Sequence, residues 1–235
     1  MQTERMFDAM ARKYDRLNRV LSLGLDRGWR RATIRALGDI RGKSVLDVAT
    51  GSGDLALAAL AAGAARVTAI DVSAAMLDAA AAKAGRCGCP QRVVLARAAA
   101  EALPFADDSF DAVCAGFGAR NFADLEKGLA EMRRVLKPGG RVVVLEFSRP
   151  RALPLRPPHR FYLKRVIPLI GGALTGRRSA YAYLGESILA FPDGADFMNV
   201  LSRAGFSRVT CRRLTLGVCS IYTAEKRTGT SSEWP

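Results

Sequence analysis

Histidine is nearly absent from this chain of 235 residues: His159 stands alone, and the five cysteines contain one close pair, Cys87-Gly-Cys89. Without a second Cys or His pair at ligand spacing no metal site is expected, and the thiols read as reduced and structural. No stretch reaches the roughly 18 uncharged apolar residues that a membrane-spanning helix requires. The opening residues, MQTERMFDAMARKYD, lack the continuous apolar segment of a secretory leader, so a cytoplasmic protein is expected. Aromatic residues make up 7% of the chain and are not interleaved with the basic ones, which leaves no run of stacking platforms for nucleic-acid bases. Acidic residues are also scarce, 22 against 36 basic ones, for a formal charge of +14.

That basic excess is uneven. Residues 149–235 hold 14 basic and 5 acidic side chains and residues 1–40 hold 9 and 5, whereas 41–148 are nearly balanced at 13 and 12. The flanks either decorate solvated faces or attract anionic surfaces such as phospholipid headgroups or nucleic acid, and the first of these surfaces would place the protein at the inner face of a membrane. At 49% hydrophobic residues, the chain can bury one α/β core. A single domain is expected over 1–226, with a disordered tail at 227–235.

From Lys43 onward, short β-branched runs alternate with alanine-rich helical stretches, the pattern of a parallel sheet covered on both faces. Strands are expected at SVLDV (44–48), RVTAID (66–71), RVVLAR (92–97), FDAVCAG (110–116) and RVVVLEF (141–147). Helices are expected at Asp54–Ala62, from an N-cap at Ser73 to Lys83, and from an N-cap at Asp124 to Leu136. The prolines of SRPRALPLRPPHR exclude a central strand and predict an excursion away from the sheet. Alternation returns with a helix near Gly194–Ala204 and two runs, SRVTCRRL and VCSIYTAEK, close enough for an antiparallel pair.

The segment VLDVATGSGDLA carries Gly51, Gly53 and Ala56 at G-x-G-x-x-A spacing between a strand and a helix. Asp71 ends the next strand, where a carboxylate accepts hydrogen bonds from ribose hydroxyls, so the loop is expected to bind an adenosine-containing ligand. Charge separates the candidates. A dinucleotide would set its pyrophosphate against Asp47 and Asp54, whereas S-adenosylmethionine (SAM) brings an ammonium and a sulfonium that carboxylates stabilise.

The ordered motifs VLDVATGSGD, AIDVSAAML, AAAEALPFADDSFDAV and RVLKPGGRVVVLEF resemble those of class I SAM-dependent methyltransferases. YDRLNRVLSLGLDRGWR (14–30), FGARN (117–121), LEFSRP (145–150) and YAYLGESILAFPD (181–193) resemble the ubiquinone/menaquinone biosynthesis C-methyltransferase family, over residues 7–226. The resemblance implies a Rossmann-like α/β fold: seven strands, mostly parallel with an antiparallel last strand, an N-terminal lid at 1–40 and a substrate cap insertion at 149–193. SAM as methyl donor follows, held by Asp47, Gly51, Ser52, Gly53, Asp71, Val72, Ala99, Ala100 and Gly116. Two of these depart from the family pattern. Asn or Asp is commoner at position 99 and Ser at 116, and a lost buried hydrogen bond weakens binding by about 1 kcal/mol.

The resemblance also implies C-methylation of the hydroquinone ring of a polyprenylated substrate, from the ubiquinone or the menaquinone pathway; the core motifs taken alone would equally serve a methyltransferase of another small molecule, and less readily one of RNA. An aromatic carbon becomes a good nucleophile when a neighbouring hydroxyl loses its proton. Arg120 is expected to stabilise the phenolate and Asn121 to orient it, with Tyr14, beside Asp15 and Asn18, folding over from the lid. Tyr181, Tyr183 and Glu186, near Ser187, are expected to line the ring site. His159, in PPHRF, stands at no expected strand end and reads as incidental. Nucleic acid is not an expected partner, since no N-P-P-[FY] motif for exocyclic amines is present; a homodimer is a further expectation.

Overall fold

The computed structural model describes residues 19–175 and 178–228, without the side chains of 174–180. Its seven strands are β1 (Ser44–Val48), β2 (Arg66–Asp71), β3 (Val93–Arg97), β4 (Phe110–Gly116), β5 (Leu136–Phe147), β6 (Ser207–Leu214) and β7 (Cys219–Glu225), in the order β3-β2-β1-β4-β5-β7-β6. β1 lies inside the sheet beside the central β4, parallel to both neighbours, with Val48 opposite Ile70 and Ala115. β7 inserts antiparallel between β5 and β6, setting Val144 against Tyr222 and Arg212 against Ile221. The expected antiparallel last strand is therefore present.

Alternation along the strands divides the interior in two. Leu46, Val48 and Val113 face one layer with Leu129, Met132 and Phe197, while Val45, Cys114 and Val143 face the other with Trp29, Ile34 and Leu55. Burying such a side chain fully stabilises the fold by about 1.5–3 kcal/mol, which is why these short runs become strands covered on both faces. The helices that cover them start where the sequence predicts. Ser73 Oγ accepts from the Met76 amide to open α3 (Ala74–Arg86), and the Asp124 carboxylate from the Lys127 amide to open α4 (Leu125–Val135). α1 (Asp26–Ala36) and α2 (Asp54–Ala61) cover the opposite face.

β5 differs from expectation. It begins at Leu136, five residues early, because Leu136 pairs with Phe110 before a register shift and the Gly139 amide bonds to Lys226 O. The chain crosses Lys137-Pro138-Gly139-Gly140 while still attached to the sheet edge, with Gly139 at φ +75°.

After Phe147 come α5 (Arg156–Phe161), a π-helical turn over Tyr162–Val166, α6 (Ile167–Thr175) and α7 (Arg178–Ala190). Pro157 and Pro158 fall in the first turn of α5, where a missing amide hydrogen leaves no helical bond unmade. Leu163, Ile167, Tyr181 and Ile188 form a small core of their own that touches Leu21 and Phe147. α8 (Ala195–Arg203) then leads into β6. No helix among the described residues is long and apolar enough to cross a membrane.

Candidate active site

Strand order reverses around β1, and the crevice outside the carboxyl ends of β1, β2 and β4 holds a cavity of about 300 Å³. Its floor is backbone. Gly51 and Gly53 adopt φ of +56° and +82°, and a Cβ at Gly53 would stand 3.0 Å from that of Ala80. Gly116 and Gly118 leave equally little room: an added Cβ would lie 3.1 Å from Leu55 Cδ2 and 2.5 Å from Ala49 Cβ. The Cβ of the serine common at position 116 in the family would require Leu55 to give by a few tenths of an ångström. Asp71 closes β2, accepting from the Gly51 amide at 2.8 Å and the Ser73 amide at 2.9 Å. A carboxylate at a strand end is the acceptor that ribose hydroxyls meet in nucleoside-binding sheets of this kind. Ser52, Val72, Ala99 and Ala100 complete the lining, so every expected cofactor residue borders this cavity except Gly53, which shapes the turn beneath it. Glycine-lined walls, a carboxylate at the strand end and an apolar alanine wall fit a phosphate-free nucleoside.

The two acidic residues at the entrance differ from each other. Asp47 is fully buried and lines the cavity; it accepts from Thr50 Oγ1 at 2.6 Å and from the Cys114 thiol at 3.6 Å. Burial pushes its carboxyl up to about 7, against the hydrogen bonds that lower it. Asp54 is instead held by Lys83 Nζ and lies 3.5 Å from Arg30 Nη2, so it greets a ligand as part of a neutralised cluster. From the sequence both are carboxylates that face a cationic ligand; ion pairing with Lys83 and Arg30 removes Asp54 from that role.

A second cavity, of about 420 Å³, opens between α1, the loop after β4 and the helices that follow β5. Apolar side chains such as Leu25, Phe147, Leu163 and Ile188 dominate it. Arg120 reaches its wall from the turn at Ala119–Asn121. Arg120 Nη1 lies 3.0 Å from Glu146 Oε2, both side chains are buried, and the guanidinium stacks 5.5 Å from the centre of the Phe147 ring. Its Nε is buried with no hydrogen-bond partner among the described residues. Tyr183 Oη donates to Asn121 Oδ1 at 3.4 Å, and Tyr181, Tyr183 and Ser187 line the cavity. Glu186 does not; it is exposed on the other side of α7, because positions 181, 184 and 188 of that helix turn inward. Tyr14, Asp15 and Asn18 lie outside the described residues, as does most of the expected tail.

The structure adds residues that the sequence left unassigned. His159 lines the second cavity instead of standing apart from it. Arg30, Phe117 and Asn121 line both cavities and form the partition between them. Phe117 adopts φ +58°, a strained conformation for a bulky residue, and its ring packs on Trp29 and Phe147. The Asp26–Arg30 spacing of four on a helix was the available signal for Arg30, and the two side chains do pair.

Solved structures share the architecture. A putative SAM-dependent methyltransferase from Methanococcus maripaludis superposes with a TM-score of 0.67 at 17% identity, covering 96% of this chain and 95% of that one. Among curated proteins, a Bacteroides fragilis demethylmenaquinone methyltransferase is 46% identical over 226 residues, spanning 96% of this chain and 92% of its own length. A Geotalea daltonii protein named ubiquinone/menaquinone biosynthesis C-methyltransferase UbiE is 44% identical over 225 residues, with 95% of each chain covered. The model of the ubiE/COQ5 methyltransferase family matches residues 1–226, and the chain belongs to that family.

Proposed function

We propose that this enzyme transfers the methyl group of SAM to a ring carbon of a polyprenylated hydroquinone, converting demethylmenaquinol to menaquinol or carrying out the equivalent step on a ubiquinone precursor. One observation carries the reading: a glycine-lined nucleoside cavity and a large apolar cavity meet at a shared wall made by Phe117 and Asn121. The names of the 46% and 44% identical relatives support the same chemistry.

SAM, when bound, supplies a methyl group made electrophilic by its sulfonium. The chain must align a carbon nucleophile behind that methyl and exclude water, an alignment worth up to roughly 7–11 kcal/mol in well-oriented systems. Asp71 would hold the ribose, Val72, Ala99 and Ala100 the adenine face, and Asp47 the cationic end. Across the partition, the guanidinium of Arg120 on the cavity wall stabilises the developing phenolate, and Asn121, braced by Tyr183, orients the ring. Tyr181 and the apolar side chains take up the ring and the first part of the tail.

Such a substrate resides in a bilayer. Leu23 and Leu216 stand 83% and 77% exposed at the mouth of the apolar cavity, beside the strongly basic 149–235 segment. These features support docking of the mouth on the anionic inner face of the membrane. The decisive experiment is mass spectrometry of quinones extracted from cells with and without the gene. Accumulation of a ring-demethylated quinone in its absence is expected; an unchanged quinone profile would remove the reading.

A further inference from the structure

We propose that His159 is a catalytic residue, the base that takes the proton from the ring hydroxyl of the substrate in the apolar cavity. The assignment rests on the hydroquinone reading above and supplies what that reading lacks, an acceptor for the proton.

The cavity wall offers few candidates. On α1, Asp26 accepts from Ser22 Oγ at 2.9 Å and is paired with Arg30. From the loop after β4, Arg120 is tied to Glu146. Next to α5, Tyr162 Oη donates to Leu21 O at 2.8 Å, and on α7 Tyr183 is bonded to Asn121 while Tyr181 is buried and engaged. His159 is the exception. Neither ring nitrogen has a hydrogen-bond partner among the described residues, yet the side chain borders the cavity. The other basic residues of its own helix, Arg156 and Arg160, are exposed and do not line the cavity. On a wall whose other titratable side chains are engaged, the partly exposed imidazole is the group open to a ligand atom.

Its charge state suits the task. Burial holds the imidazole below its ordinary 6.5, so at neutral pH it carries a free lone pair. Arg120, on the wall of the same cavity, supplies a hydrogen-bond donor for the oxygen that loses the proton. The hydroxyl proton passes to His159, and the ring carbon's electron pair forms the new bond to the methyl group. The sulfur–methyl bond breaks with its electrons on sulfur, leaving the neutral thioether product. The methylated ring carbon then loses its hydrogen as a proton, the ring oxygen regains one, and one proton is released overall.

The test uses the full chain in detergent micelles, with a demethylated naphthohydroquinone bearing a short prenyl tail and kept reduced by dithiothreitol. In His159→Gln, kcat should fall about 100-fold, as expected for loss of a general base. KM and SAM affinity should stay within about threefold, and the acid limb of the kcat profile, set below pH 6.5 in the wild type, should vanish. Added imidazole should restore turnover to His159→Ala, which a structural role would not allow. Wild-type kcat and an unchanged profile in His159→Gln overturn the assignment, as does a loss of activity that imidazole leaves untouched. A wild-type enzyme that methylates no hydroquinone overturns the reading beneath it and the assignment together.

Discussion

Arg120 Nη1 sits 3.0 Å from Glu146 Oε2 in an ion pair whose side chains are 5% and 0% exposed, beneath the ring of Phe147. Removing one member leaves the other buried and uncompensated, a loss of about 3–5 kcal/mol. Arg120→Ala should therefore both unfold earlier and lose turnover. The double variant Arg120→Leu with Glu146→Leu should regain most of the stability in thermal denaturation while remaining inactive. A double variant with near-normal turnover would take Arg120 out of the chemistry.

Asp71 serves the backbone as well as the ligand, since it holds the amides of Gly51 and Ser73. Asp71→Asn keeps one acceptor and exchanges the other for a donor. A hydrogen bond to a charged group contributes about 1.5–3 kcal/mol, so SAM affinity should drop by roughly 10- to 100-fold in calorimetry. Unaltered affinity would show that the ribose is held elsewhere.

Asp47 makes ligand binding pH-dependent. Its carboxyl is raised in the folded chain from 3.8 to about 7, so the native state binds more protons than the unfolded state across that window, and stability falls as pH rises through it. A cationic ligand in the adjoining cavity favours the ionised form. SAM affinity should thus increase as pH rises toward about 7 and then level off, with proton release visible as a buffer-dependent enthalpy. Asp47→Asn should flatten the profile; a flat wild-type profile from pH 5.5 to 8 would sink the idea.

Leu23 and Leu216 are exposed enough that charged replacements leave the fold intact. Leu23→Asp with Leu216→Asp should keep the wild-type melting temperature but lose sedimentation with vesicles rich in anionic lipid. Higher salt should weaken wild-type binding as well, because the basic contribution is screened. Vesicle binding indifferent to the leucines, lipid charge and salt would count against docking at this mouth.

Most of the sheet was legible because its strands obey one local rule, a β-branched run bounded by turn residues and buried on both faces. β1, β2 and β4 begin and end at the expected residues, and Ser73 and Asp124 make the capping bonds that their side chains suggested. The start of β5 is not legible in the sequence because its first residues are held by partners distant along the chain, Phe110 and Lys226, which no local pattern displays. The glycine loop and Asp71 were found because close backbone approach demands particular residue types. The charge states of Asp47 and Asp54 were not, since burial and the reach of Lys83 and Arg30 decide them. The place of His159 is illegible in the sequence for a similar reason: α5 carries no periodicity that points to a cavity, and its position depends on contacts such as that of Tyr162 with Leu21.

A partition with two faces ties the fates of the chambers on either side. Phe117 and Asn121 cannot be enlarged to tighten one compartment without pushing into, or drawing back from, the other. Selectivity for the ring and hold on the methyl donor therefore cannot drift independently in this lineage, and accommodating a bulkier ring calls for adjustment on the far walls, at α5 and α7, where only one occupant feels the change.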